Sequence, residues 1–221
     1  MAIVRFHREG WAWITATMGI GTVGILLALW LRPPAWLGWT LGGLWLVWAA
    51  LLLNFFRYPK RPCPSEPHLI YAPCDGKVVE VCPTFEPKHF HAEMLQISIF
   101  MSPLNVHVNW APAPGTLRVK EHMSGTYLVA WHPKASLLNE QTFLAVEDTT
   151  TERYYALRQI AGILARRIST YPSVGSTLKA GEEIGFIKFG SRVDVLLPLN
   201  AQAKVRPGDR VRGALTPIAQ W

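Results

Sequence analysis

The sequence predicts a β-rich (α+β) barrel or sandwich domain behind an N-terminal two-helix transmembrane hairpin. Three observations lead there. Two long uncharged stretches occupy the first quarter of the 221 residues, short alternating runs fill the rest, and only 17% of residues are charged, against about 25% in soluble domains. The 22 Lys and Arg outnumber the 15 Asp and Glu, for a net charge of +7. At about 150 residues per domain, the length fits one domain with an appendage or two small ones. These values exclude a disordered or collagen-like chain and an ordinary cytosolic globule. The three Cys, at 63, 74 and 82, form no CxxC pair and leave one over, so neither a disulfide framework nor a zinc ribbon is expected.

The first span runs over Trp11–Leu31 (WAWITATMGIGTVGILLALWL) and the second over 35–56 (AWLGWTLGGLWLVWAALLLNFF). At 1.5 Å per residue each reaches about 30 Å, the thickness of a bilayer core. The competing reading is a helical hairpin buried in a soluble core, but such helices keep a polar face and neither run has one. A cleaved signal peptide would need a small-residue site after the first run, where a second span follows instead. Arg32-Pro33-Pro34 forces a tight hairpin over residues 1–56, with both ends on one side. Those ends carry Arg5, Arg8, Arg57, Lys60 and Arg61, whereas the turn has only Arg32. The positive-inside tendency therefore places residues 57–221 on the cytoplasmic side of the cell membrane. Seven of the ten Trp lie between Trp11 and Trp48. Trp11, Trp13, Trp30 and Trp36 fall near span ends, where indoles favour the interface.

Residues 57–73 contain five Pro and read as an extended linker. Beyond it, residues 74–221 form the second domain. Strands are expected over 77–81 (KVVEV), 95–100 (LQISIF), 106–108, 116–119, 154–160 and 192–197 (RVDVLL). Asp75-Gly76, Pro114-Gly115, Ser124-Gly125 and Pro207-Gly208 punctuate them as turns. A short helix is expected over 163–168 (ILARRI), with Arg166 and Arg167 on its polar side. A mildly basic domain on a membrane hairpin would lie near anionic headgroups; no nucleic-acid partner is expected.

The sequence holds no Walker loop, HExxH or GxSxG. His89 and His91 have the i, i+2 spacing that could seat a metal, but their polar setting beside Pro87 and Lys88 reads as a solvated loop, and no metal is expected. His68, His122 and His132 are isolated. Asp75 reads as a turn cap, His107 as a structural histidine in a strand, and Glu140, after Asn139, as solvent-exposed. Two Gly-Ser pairs stand out. Gly175-Ser176 lies in a polar turn after Pro172. Gly190-Ser191 lies between strand-like runs in GFIKFGSRVDVLLP, where a glycine permits a bulge or tight bend.

Taken in series, the blocks are more specific than any one alone. They are Phe56-Arg57-Tyr58-Pro59; Ala72-Pro73-Cys74-Asp75-Gly76-Lys77-Val78; Ile99 to Asn109 (IFMSPLNVHVN); Asn139-Glu140; Gln159 to Ile168 (QIAGILARRI); and Gly185 to Asp194 (GFIKFGSRVD). In this order and spacing the chain, from about Arg57 to its end, resembles the short form of the phosphatidylserine decarboxylase proenzymes. The hydrophobic hairpin also suits that form.

The resemblance implies a proenzyme that cuts itself at a Gly-Ser bond and turns the serine into a covalent pyruvoyl group. By motif, Ser191 is the pyruvoyl precursor and Gly190 the last residue before the cut. The cut would leave a large chain 1–190 and a small chain 191–221, joined as a heterodimer, with higher assembly left open. The serine hydroxyl attacks the preceding carbonyl to give an ester, and elimination leaves dehydroalanine, which hydrolyses to pyruvoyl and ammonia. The ketone then forms a Schiff base with the amine of phosphatidylserine and serves as the electron sink for decarboxylation. Asp75 and His107 match the family's acidic residue and histidine, which follow the logic of a base oriented by an acid. Two positions depart from the longer members: Trp110 stands where they have a second His, so His107 would serve both cleavage and later proton transfer, and Arg192 stands where they have Thr. Gly175-Ser176-Thr177 imitates the longer members' cleavage site.

Two other functions compete with phosphatidylserine decarboxylation. One is decarboxylation of a different serine phospholipid, such as an archaeal-type ether lipid. The other is a non-enzymatic, membrane-tethered β module, because 75–79 and 207–211 resemble the hairpins of lipoyl-type barrels. The second lacks the attachment lysine such modules carry.

Overall fold

The computed structural model describes residues 5–64, 66–131, 135–148, 153–162, 167–188 and 190–221. The chain divides into two compact units after Pro59.

The first unit is the helical hairpin. Helix α1 covers Trp11–Leu31 and α2 covers Ala35–Phe55, so the second ends one residue earlier than expected. Arg32 closes α1 in the left-handed region (φ 44°), with its N–H bonded to the Ala28 carbonyl at 3.0 Å. Pro33 and Pro34 then bar any continuation. The helices meet where Gly21 leaves room for the Trp45 ring. Trp45 Nε1 donates to the Thr17 carbonyl (3.1 Å) and Trp48 Nε1 to Thr17 Oγ1 (3.3 Å). Away from that seam the surface is bare and apolar: Trp30, Trp36 and Trp39 are 78%, 69% and 82% exposed. Both helices are long and apolar enough to cross a membrane. Arg5–Phe6 pairs antiparallel with Arg57–Tyr58, so the two ends of the hairpin lie together, as the Arg-Pro-Pro turn requires.

The second unit is built on an eight-stranded antiparallel sheet curled into a half-barrel. Its strands are β1 (Gly76–Glu86), β2 (Ala92–Met101), β3 (Gly115–Met123), β4 (Gln141–Asp148), β5 (Arg153–Ala161), β6 (Thr177–Leu178), β7 (Ser191–Pro198) and β8 (Arg210–Val211). Their order across the sheet is β6-β3-β4-β5-β7-β2-β1-β8. Two three-stranded sheets complete the unit. One joins Ile168–Thr170, Glu183–Ile187 and Val108–Trp110; the other joins Gln202–Ala203, Pro217–Gln220 and Leu69–Tyr71. The concave face holds the main core, including Ile97, Ile99, Leu144, Leu157, Val193 and Val195. A smaller cluster of Met94, Phe143, Ala145, Ala156 and Leu196 covers the other face. The central strand β7 is therefore buried on both sides, which suits its β-branched run.

Several expectations change. Part of the stretch read as linker is core: Leu69–Tyr71 is a buried strand, and its short apolar run is masked in sequence by the surrounding prolines. Strand β4 was not expected, because a strand buried on both faces lacks polar alternation. The helix expected over 163–168 lies largely outside the described residues, but Ile168 pairs with Ile187 as a strand. His107, expected inside a strand over 106–108, lies just ahead of the observed strand Val108–Trp110.

Candidate active site

Ser191 opens β7, and its backbone is paired on both sides, with Met101 of β2 and Ala161 of β5. Strand alternation sends Ser191, Val193 and Val195 to the core face and Arg192, Asp194 and Leu196 to the other. Ser191 Oγ is consequently buried, and it has no hydrogen-bond partner among the described residues. Leaving such a group unpaired costs about 1–3 kcal/mol. A serine kept only for structure would be paired or replaced by alanine; an orphaned hydroxyl on a fixed strand is available for chemistry.

Gly190 precedes it with φ +75°, in the left-handed region that glycine enters without strain. Nothing lies within 4 Å of where its Cβ would stand, so glycine serves the turn of the backbone here, not a need for room. Room is needed across from it. A Cβ on Gly162 would strike the Gly190 carbonyl oxygen and come within 3.2 Å of the Ala130 Cβ. Gly162 thus keeps space beside that carbonyl. It belongs to the Gln159 to Ile168 block, but nothing in the sequence reveals its role.

His107 is fully buried. Its Nδ1 lies 3.0 Å from the Asn105 carbonyl, which can only accept, so Nδ1 carries the proton. Nε2 then presents its lone pair and accepts the Gly190 N–H at 3.3 Å. The Asn105 carbonyl is held by a closed turn: Asn105 Oδ1 accepts from the Ser102 N–H and hydroxyl, both at 2.9 Å. The structure therefore brings His107, Gly190 and Ser191 together.

Asp75 is not part of that group: among the described residues the partners of its carboxylate are Arg61 and Gly213. Arg61 grips it with two guanidinium nitrogens, Nη2 at 2.8 Å, and the Gly213 N–H donates at 2.8 Å. The Arg61 guanidinium also lies 4.9 Å over the Trp110 ring. Trp110, at the position of the longer members' second His, thus joins the cluster that fixes the turn before β1. Arg61 was read only as a flanking charge. Nearby, burial first and then the Asp75 and Asp194 charges push the Cys74 thiol up, which removes it as a nucleophile.

Asn139 is buried and ties down Ser191's neighbour: its Nδ2 donates to the Ala161 carbonyl at 2.7 Å and to the Leu128 carbonyl at 2.8 Å. Glu140, expected in solvent, is largely covered and accepts from the Tyr127 hydroxyl. Behind Ser191, the Arg192 side chain is enclosed. It donates to Asp194 (2.6 Å), Ser98 (2.6 Å) and Glu80 (2.8 Å). Burial opposes its charge, but Asp194 and Glu80 together outweigh burial, and the Arg192 pKa is raised.

The other candidates stand apart. His89 is stacked on Phe143 and paired with Glu121 at 3.0 Å, not solvated as expected; His91 is exposed with φ +48°. His132 lies outside the described residues. Ser176 sits in an edge turn whose backbone pairs with Leu117, and it lacks the burial of Ser191.

Residues 48–219 match the family model described as phosphatidylserine decarboxylase. A relative from Amoebophilus asiaticus, named phosphatidylserine decarboxylase proenzyme, is 42% identical over 225 residues, covering 99% of this chain and 97% of the relative. Relatives of the same name from Phocaeicola vulgatus and Bacteroides thetaiotaomicron are 40% and 46% identical, over 98% and 77% of this chain and 95% and 75% of theirs.

Proposed function

This chain belongs to the phosphatidylserine decarboxylase family, and on that premise we propose that it converts phosphatidylserine to phosphatidylethanolamine with a pyruvoyl group made from its own Ser191. The observation that carries this is the orphaned, buried Ser191 hydroxyl beside a left-handed Gly190 whose N–H meets His107. These residues fit the group: in a pyruvoyl group the hydroxyl-bearing Cβ would be a methyl and Cα a ketone, which leaves no buried hydroxyl unpaired. The family and the buried site together disfavour the non-enzymatic module. Acyl-lipid and ether-lipid substrates differ in parts that no residue described above contacts, and phosphatidylserine is preferred on the relatives' names.

Self-cleavage uses this chain's own groups. Ser191 Oγ attacks the Gly190 carbonyl carbon; the Oγ–C bond forms, the C–N bond breaks, and the Oγ proton passes to the departing nitrogen. His107 Nε2, unprotonated and one peptide unit away, takes and returns that proton. Gly162 leaves the carbonyl oxygen the space it needs as the carbon becomes tetrahedral. Asp75 acts as a positioning residue, by fixing with Arg61 the turn that leads into β1. Once formed, the pyruvoyl group supplies the electron sink for decarboxylation. His107 then holds the proton that replaces the lost carboxylate.

The decisive measurement is intact mass of the purified protein under denaturing conditions. Two chains should appear, 1–190 and 191–221, the smaller blocked to Edman sequencing and reactive to borohydride. A single uncut mass in a preparation that decarboxylates would refute the pyruvoyl route. For location, we propose that the hairpin spans the cell membrane with residues 57–221 cytoplasmic, on the Arg/Lys asymmetry of its flanks. Protease added to sealed right-side-out vesicles should spare the C-terminal domain; digestion from outside would reverse the orientation.

A further inference from the structure

We propose that Lys77 and Arg210 form a phosphodiester pocket beside the Ser102–Asn105 turn, which takes the headgroup phosphate of the serine phospholipid; this rests on the decarboxylase reading above. The pocket, about 400 Å³ in volume, has both residues in its wall. Lys77 of β1 and Arg210 of β8 are direct cross-strand partners. Like charges so placed destabilise a sheet, unless an anion is shared between them.

No carboxylate among the described residues takes that part. Asp75 is held by Arg61, Glu80 accepts from Arg192, and Asp209 accepts the Arg206 N–H. The two cations therefore converge on an open concave site without a counter-charge, the setting in which guanidinium and ammonium groups bind phosphate.

The remaining wall indicates the kind of phosphate. Asn105, whose carbonyl orients His107, lines the same pocket, which joins it to the reacting residues. Phe100, the other cross-strand neighbour of Lys77, and Leu104, 64% exposed, give an apolar side. Phe100 meets Trp131 edge-on at 5.4 Å, and Trp131 is itself 62% exposed. An inorganic phosphate gains nothing from such a rim, whereas a phosphodiester carrying glycerol and acyl chains does. Lys77, Phe100 and Arg192 stand in one cross-strand row, on the face opposite the Ser191 hydroxyl and two strands, about 10 Å, from the start of β7. Met101, Ala161 and Ser191 all lie at the ends of their strands, so a phosphoserine headgroup bound at Ser191 rounds that end of the sheet to reach the cations.

The test uses the purified, self-cleaved full chain in detergent, with glycerophosphoserine as soluble probe and phosphatidylserine in mixed micelles as substrate. The Lys77→Gln/Arg210→Gln double variant should still self-cleave, which reports folding on a gel. It should bind glycerophosphoserine at least about tenfold more weakly and show KM raised by a similar factor with kcat little changed. Lys77→Arg should retain binding, and the single Arg210→Gln variant carries the same comparison should the double variant not fold. Unchanged binding and KM in a self-cleaved variant would overturn the pocket. If inorganic phosphate binds as tightly as glycerophosphoserine, the site takes free phosphate and the headgroup assignment fails. If the wild type binds glycerophosphoserine through these residues yet decarboxylates nothing, the pocket stands and the decarboxylase reading falls.

Discussion

Ser191→Ala should leave the chain whole and without decarboxylase activity, while Ser176→Ala should cleave and turn over like the wild type. Mass spectrometry of the two variants reads both outcomes. The effect is expected to be complete, because no other hydroxyl can be the residue that begins the small chain. The substitution should also leave the fold intact. It removes an oxygen that is buried and unpaired, so stability should hold or rise by up to about 1 kcal/mol, since an unsatisfied group disappears with it. A folded yet uncut Ser191→Ala protein separates the chemistry from the scaffold. A fragment beginning at residue 176, or a Ser191→Ala protein that still splits, would move the site elsewhere.

His107→Ala should slow self-cleavage by a factor of about 10² to 10⁴, the usual contribution of a positioned base. The time course of band splitting after synthesis measures it. Asp75→Asn should slow cleavage less, and should lower stability, since it leaves the Arg61 guanidinium, 11% exposed, without its charge partner. Should His107→Ala cut at the normal rate but fail to decarboxylate, His107 acts only in the second reaction, and the proton from Ser191 goes to another group. Trp110 cannot be that group, because its indole has a donor and no basic nitrogen.

The helices were legible almost to the residue, because two uncharged runs broken by Arg32-Pro33-Pro34 admit few other readings. The strands with polar alternation, such as β1 and β2, were legible as well. Strand β4 was not: its QTFLAVED run is buried along most of its length, and such a run carries no period-2 signal. Ser191 and His107 could be named from the family's motifs, but their juxtaposition could not, because 83 residues separate His107 from Gly190 and only the fold of the sheet closes that gap. Arg61 and Gly162 escaped for the same reason. One looked like a flanking cation and the other like a spacer, and each acquires its meaning from a partner distant in sequence or from a backbone approach. Gly190 reads in sequence only as a site for a bulge or tight bend, and the structure gives the reason as its left-handed φ, with open space where a Cβ would stand.

Strand β7 begins at Ser191 and lies between β2 and β5, and residues beyond it supply β8 and the strand Pro217–Gln220. A cut at Gly190–Ser191 would therefore nick the molecule without releasing either piece. The short piece is the middle of the sheet and cannot be withdrawn while the rest stays folded. Such a cut would then alter the nature of unfolding. The uncut chain can refold as one molecule, but the mature protein would have to find its own severed centre in solution, so its melting becomes a dissociation that depends on concentration. Each molecule would also be bound for life to the fragment it made, and a damaged active centre could be renewed only by synthesis of a new chain.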